Sequence, residues 1–420
     1  VWGTIVFFAV MMLFFKALFA WAAPLQDAVE GFFDWLATGV GEHIGNPILA
    51  SLLGDGILGG VGAVLTFVPQ ILLMYLLLAL LDAVGYMSRA AFLMDKVMSR
   101  AGLEGRAFVA MLSSFACAIP GIMATRTIPS AKDRIATMLS APLATCSARL
   151  PVYVLLVGIL VPAGSSLGPV SVRGLVLFGM YLLGALSAML AARVVKKITD
   201  RSGTLLPFYM EMPPYRIPTL RSVGIAMWEP TKAFLRKAGT IIMGATIVIW
   251  ALTTFPLRSD AEMTAAGVDP SDEVAATAYN MEHSAAAKVG KPIEPVFAPQ
   301  GFDWRVNISL IGSMAAREVA VSTLGQVASA SDPEDDVSVS ESVQKWTYTD
   351  GPHQGEKVFT PDTTIAMLIF FAFALQCVAT IGILKRESGG WKWPAIAFGY
   401  MFVLAWVGSS LAAIITRAVM

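Results

Sequence analysis

Three features of this 420-residue sequence predict an all-α, polytopic transmembrane fold. Hydrophobic residues make up 56% of the chain and charged ones 14%, against about 25% charged in a soluble domain. The apolar residues fall in runs of about 20, the length a helix needs to cross a hydrocarbon core. The charged residues collect between those runs, with the sign changing from loop to loop. Thirty Lys and Arg balance thirty Asp and Glu, so the composition implies no nucleic-acid partner.

Seven runs read as spans: residues 3–21, 59–81, 143–161, 174–193, 238–256, 363–383 and 394–416. The first lacks a basic leader and holds Lys16 inside its apolar run, so it is no secretory signal. The sequence begins within this span, and an upstream portion is expected. Basic loops stay cytoplasmic. Residues 22–58 hold Asp27, Glu30, Asp34, Glu42 and Asp55 with no Lys or Arg, and are expected as an external loop. Residues 86–106 (Arg89, Lys96, Arg100, Arg106) and 194–237, with eight basic residues, belong inside. Residues 257–304 carry eight acids against three bases, and 328–361 seven against two. Both read as external, mobile surface connections. Lys385, Arg386 and Lys392 return the chain to the inside. This pattern sets the N-terminus in the cytoplasm.

Two segments resist reading as plain spans. Residues 107–128 (AFVAMLSSFACAIPGIMATRTI) are interrupted by Pro120-Gly121 and flanked by bases. Residues 306–327 (VNISLIGSMAAREVAVSTLGQV) are half polar and flanked by acidic loops. Each is expected to be a discontinuous or re-entrant helix, a form tolerated at membrane depth only when buried in protein or lining a wet cavity. One enters from inside and the other from outside, the arrangement of an inverted repeat with a midplane site. A faint internal match agrees. Met123-Ala124-Thr125-Arg126 parallels Met314-Ala315-Ala316-Arg317, and each precedes a Cys-x-Ala, at Cys146 and Cys377. The expected organisation is membrane helices with an acidic loop over 1–84, a first gate repeat over 85–195, a basic cytoplasmic segment over 196–237, and a second gate repeat over 238–420.

Only three cysteines occur, Cys117, Cys146 and Cys377, and all lie in the membrane segments. With none in the external loops, a disulfide framework is excluded. A membrane cysteine is most often a small apolar packing residue. The contexts argue otherwise here. Cys117 precedes a helix-breaking Pro, where backbone hydrogen bonds are lost. Cys146 shares a helix face with Arg149 at i+3, and an intramembrane Arg faces protein or water rather than lipid. Cys377 follows Gln376. Thiolate suits borderline and soft transition metals, whereas Mg²⁺ and Ca²⁺ want oxygen. Three thiols on separate elements can form a passing site, with few enough ligands to release the ion. Arg126, Arg149 and Arg317 oppose a dication unless acids neutralise them. Glu318 is the secondary candidate for that task, with a mutual Arg317–Glu318 pair as its plain alternative, and Asp82 a weaker one.

The remaining candidates carry less. His43, His283 and His353 sit in the external loops without HExxH or paired spacing. Met87, Met94 and Met98 share a helix face, which is more often packing than a ligand ladder. No nucleophile–base pair suggests an intramembrane enzyme.

The runs GYMSRAAFLMDKVMSRAGLEGRAF (85–108), SFACAIPGIMATRTI (114–128) and PLATCSARLPVYVL (142–155) resemble the membrane region of the ferrous iron transport protein B family. AAREVAVSTLG (315–325), LQCVAT (375–380) and APLQD (23–27) extend the resemblance over nearly the whole chain. The resemblance implies two gate-type repeats and an Fe²⁺ permease in the bacterial inner membrane. Cys117, Cys146 and Cys377 match the family's gate cysteines, as transient Fe²⁺ ligands. It also implies, as partners, a GTP- and Mg²⁺-binding cytoplasmic domain ahead of the first helix, small accessory proteins of the same transport system, and room for a homo-oligomer. The chain departs from the family there, having no GxxxxGK[ST] phosphate loop. It looks like the permease region of a longer protein. Two other readings fit the same residues: a gate-type transporter of Mn²⁺, Zn²⁺ or a nucleoside, and a membrane scaffold whose intramembrane Arg and Glu hold partner subunits.

Overall fold

The computed structural model describes all residues except 1, 45, 101, 163, 168–169, 200–218, 257–259, 268, 270–272, 315–316, 318, 328–335, 349–353 and 420. The structure is a polytopic helical membrane protein. The one ladder named among the described residues is a two-residue pair, Ser166–Leu167 against Val170–Ser171. Five described stretches are long and apolar enough to cross a bilayer: Ile48–Ala83, Ala131–Leu160, Val172–Thr199, Pro361–Ser388 and Lys392–Val419. The chain divides into two compact units interleaved along the sequence. The first comprises Val1–Ala144, Ser187–Ile247 and Gly382–Gly390, the second Thr145–Leu186, Val248–Ile381 and Trp391–Met420.

The first unit begins with a 42-residue helix, Trp2–His43. This corrects the expectation of a loop from residue 22. Asp27, Glu30 and Asp34 recur at helical spacing, so they form one polar stripe on a continuous helix rather than marking a turn. Pro24 is accommodated within it. The chain restarts at Pro47–Ser51, capped by the Asn46 side chain accepting from the Ile48 and Leu49 N–H groups. A π-helical Leu52–Leu58 leads into Gly59–Thr66 and Val68–Ala83. The long first helix packs against these last two. Tyr86–Arg100, Arg106–Ala116, Ala118–Ala124 and Ala131–Ser140 follow. The last is capped by the Ser130 hydroxyl accepting from the Asp133 N–H. Asp133 also meets Lys196 at 2.8 Å, each side chain 9% exposed. Such a pair tolerates burial because each charge neutralises the other. The expected basic segment 196–237 is helical where described beyond Thr219, as the start of Leu220–Thr254.

In the second unit, Pro361–Phe373 packs against Lys392–Val419 and Leu150–Leu160. Phe297, Phe370 and Phe402 meet edge to face, with centroids 5.7 to 6.4 Å apart. The described part of 257–304 is not a mobile connection. It folds into short helices, and Phe297 and Phe302 are buried. Gln300 donates to Ser410 Oγ at 2.8 Å, and Trp406 Nε1 donates to the Val296 carbonyl at 2.9 Å. Polar loop residues are held here by side-chain partners, which composition alone does not disclose.

Two segments expected as uninterrupted spans are broken. Residues 143–161 contain a 3₁₀ turn ending at Leu143, an extended stretch through Cys146, a second 3₁₀ turn Ser147–Arg149, and only then Leu150–Leu160. Residues 363–383 lose helical structure from Ala374 to Cys377 before Val378–Ser388. The two segments expected as discontinuous are so: Arg106–Ala116 stops before Cys117, and Trp304–Ser313 is separated from Val319–Val327.

A buried guanidinium at three helix interruptions

Cys117 has extended backbone (φ −155°, ψ 137°) and caps the Ala118–Ala124 helix. The cause is local. Pro120 lacks the N–H that would bond the Ala116 carbonyl, so the ladder fails just ahead of it. The second half-helix then folds tightly onto the first. A Cβ on Gly121 would lie 2.6 Å from the Ala110 carbonyl oxygen and collide with Ser114 Oγ, so only glycine fits. Leu73, Tyr75, Leu77, Leu78 and Leu81 pack around the break, alongside Phe14, Leu18 and Met74. Cys117 is half-buried in this apolar wall.

In the second unit, Cys146 is buried and caps the Ser147–Arg149 turn. Its neighbour Thr145 donates to the Met180 carbonyl at 3.3 Å. A Cβ on Gly184 would stand 2.9 Å from the Thr145 backbone nitrogen, so the extended strand lies directly on the Val172–Thr199 helix. Arg317, 4% exposed, stands in the gap between Trp304–Ser313 and Val319–Val327. Its Nη1 donates to Cys146 Sγ at 3.3 Å and its Nη2 to the Ala374 carbonyl at 3.2 Å. The Val378 N–H donates to the Met314 carbonyl at 3.1 Å. Three interruptions, at Cys146, at Met314 and Arg317, and at 374–377, therefore meet at one guanidinium. Arg149, fully buried, adds a second positive charge that Arg317 feels. Cys377 closes the third break. Its carbonyl accepts from the Thr380 and Ile381 N–H groups and so starts the next helix.

All three cysteines thus occupy one kind of position, the entry residue of a helix resumed after a break. Such positions carry partial positive charge from unpaired N–H groups. Among the described residues no three His, Cys, Asp or Glu side chains stand close enough together to hold a metal ion. Glu318 and His353 lie outside the described residues. Asp82 is exposed at the end of Val68–Ala83. His43 is exposed and bonds the Gly39 carbonyl, and His283 that of Tyr279. The sequence marked Arg317 as an obstacle to a dication but did not show that it reaches Cys146. Only a contact 171 residues apart along the chain reveals this.

The fold and this site define a gate-type membrane protein, and the comparisons agree. The Gate family model, described as "Nucleoside recognition", matches residues 64–160 and 235–391, and "Ferrous iron transport protein B C terminus" matches 177–229. The chain belongs to the ferrous iron transport protein B family, through its gate-containing membrane region. Among its relatives, "Fe(2+) transporter FeoB" of Leptospira interrogans is 40% identical over 96% of this chain and 56% of its own length. That of Helicobacter pylori is 35% identical over 98% and 64%. An "Fe(2+) transport protein A/Fe(2+) transporter FeoB fusion protein" of Porphyromonas gingivalis is 39% identical over 97% and 49%. The chain thus spans roughly half to two thirds of the length of these relatives. No solved structure matches it.

Proposed function

We propose that this chain is the membrane permease through which Fe²⁺ enters the bacterial cytoplasm. The observation that carries the reading is the meeting of three broken segments at Arg317 beside Cys146. Broken backbone at membrane depth lines cavities or stays buried in protein, and transporters use such breaks for their sites. Cys117, Cys146 and Cys377 are the transient ligands. Fe²⁺ accepts sulfur, and the metal displaces the thiol proton. With Arg317 bonded to Cys146 Sγ, the guanidinium is a tethered cation at the place the metal needs. Entry of Fe²⁺ requires it to swing aside, and its return helps release the ion. Glu318 is the acid best placed in sequence to receive that charge. Asp82 contributes at most a long-range pull, since exposed charges are screened.

The names of the relatives support iron as the cargo. The wider reading has the protein in the inner membrane with its N-terminus cytoplasmic and its gate repeats entering from opposite faces. A GTPase domain outside these residues acts on cytoplasmic segments such as 86–106 and 194–237 and carries any nucleotide hydrolysis. The Porphyromonas relative, whose name joins two transport proteins, supports a small accessory partner. Self-association of the permease fits the same scheme.

The test is Fe²⁺ uptake into liposomes by the full-length protein, parent against single Cys→Ser variants at 117, 146 and 377. Each variant is expected to lose at least tenfold. Parental rates in all three would remove the ligand assignment, and faster uptake of Zn²⁺ or Mn²⁺ than Fe²⁺ would change the cargo.

A further inference from the structure

Behind the Ala374–Cys377 break, the second unit contains a half-open cavity of about 270 Å³. Its wall is almost wholly apolar, with Phe297, Phe370 and Phe402 contributing rings. Two amides interrupt that wall. Asn307, 1% exposed, has neither Oδ1 nor Nδ2 hydrogen-bonded, and Gln376, 4% exposed, leaves Oε1 without a partner. Unmet buried polar groups are destabilising, so three among the lining residues point to an occupant that small rotations of these two side chains let them bond.

We infer that this cavity binds a neutral hydroxyaromatic molecule of the quinol or phenol class, entering from the bilayer. Among the described residues the lining carries no ionisable side chain, and a bare or hydrated ion would lose its solvation there without compensation. The unpaired atoms call for a ligand that both donates, to Asn307 Oδ1 or Gln376 Oε1, and accepts, from Asn307 Nδ2. One hydroxyl does both. An apolar cavity of about 150 Å³ holds a benzene ring, so 270 Å³ suits one or two fused rings better than a whole lipid. A flat ring also extends the edge-to-face set already formed by the three phenylalanines. The rim is apolar: Ile311 is 41% and Phe402 37% exposed. Phe402 lies within the Lys392–Val419 span, so the mouth opens toward acyl chains.

The site has a route to the gate. Gln376 adjoins Cys377, and Ala374, whose carbonyl holds Arg317, lines the same cavity. An occupant bonded to Gln376 fixes the broken segment and slows its movement. This holds whatever ion the protein carries.

The full-length protein in lipid nanodiscs is titrated with 2-naphthol, a stable fluorescent member of the class, against protein-free nanodiscs. Saturable binding is expected, with naphthalene at least about tenfold weaker, the size of one lost hydrogen bond. Asn307→Leu should reduce 2-naphthol to the level of naphthalene. Ile311→Trp, at the exposed rim, should close the mouth and abolish saturable binding without touching either amide. It keeps the question open to refutation if Asn307→Leu does not fold. Bound 2-naphthol should also slow Cys377 alkylation severalfold. Equal, unsaturable partitioning with parent and Ile311→Trp would overturn the site, and 1-octanol binding as well as 2-naphthol would overturn the aromatic assignment.

Discussion

The breaks at Cys117 and Cys146 look alike locally and are maintained by different means. At Cys117 the cause lies within about ten residues: Pro120 ends the ladder, and Gly121 lets the second half-helix close on Ala110 and Ser114, with apolar packing from Phe14 and the Val68–Ala83 helix added from farther away. At Cys146 the support comes from far along the chain, from Met180, Arg317 and, through Arg317, Ala374. The first is a self-contained fold-back in an apolar wall. The second is a junction whose geometry changes when any of its partners moves.

The buried cations sharpen the contrast. Lys196 in the first unit is matched by Asp133, while Arg317 in the second bonds a sulfur and a carbonyl. Asp133→Ala should therefore have the largest effect on stability. It leaves Lys196 buried without its ion-pair partner, at a cost of about 3–5 kcal/mol. Asp133→Leu with Lys196→Met should recover most of it, measured as thermal unfolding in detergent. If the single variant unfolds like the parent, the ion pair contributes nothing.

Gly121→Ala comes next, at about 1–3 kcal/mol from overpacking. The Ala110 carbonyl is backbone and cannot yield, so adding Ser114→Ala should restore little. Full recovery by the double variant would mean the fold-back is held by side chains alone.

Arg317→Lys should leave the fold intact and lower transport. One ammonium cannot span Sγ and carbonyl as the planar fork does. Uptake is expected to fall about tenfold, or ~1.4 kcal/mol, while alkylation of Cys146 speeds up. Unchanged rates in both assays would make the guanidinium a packing group only.

The smallest effect is expected at Glu104, in the loop before Arg106–Ala116. Burial raises its carboxyl above the usual range, and Asp133 and Asp95 act in the same direction against Arg106 and Lys196. The folded state therefore holds the proton more tightly than the unfolded chain. Stability from this group is greatest below the unfolded value near 4.5 and declines as pH rises through the raised folded one. Glu104→Gln should flatten that decline and stabilise at neutral pH by under about 1 kcal/mol, given solvent screening. A steeper pH dependence in the variant would reverse the assignment.

Sequence alone determined the membrane class, the family and two of the four breaks. Hydropathy and the positions of Pro and Gly are local quantities, and Pro120 announces its break wherever the chain folds. Two breaks were decided by tertiary structure. No Pro or Gly lies between Phe373 and Val378, so the pattern there reads as plain helix. The helix opens because the Ala374 carbonyl finds Arg317 and the Val378 N–H finds Met314, partners at least 57 residues away. The long first helix was missed for the converse reason, since its acids were counted as loop charge instead of being read at a period of 3.6. Cysteines, too, can be counted in a sequence. That Cys146 shares its sulfur with a buried guanidinium depends on bringing residues 146 and 317 together, which packing does and spacing cannot.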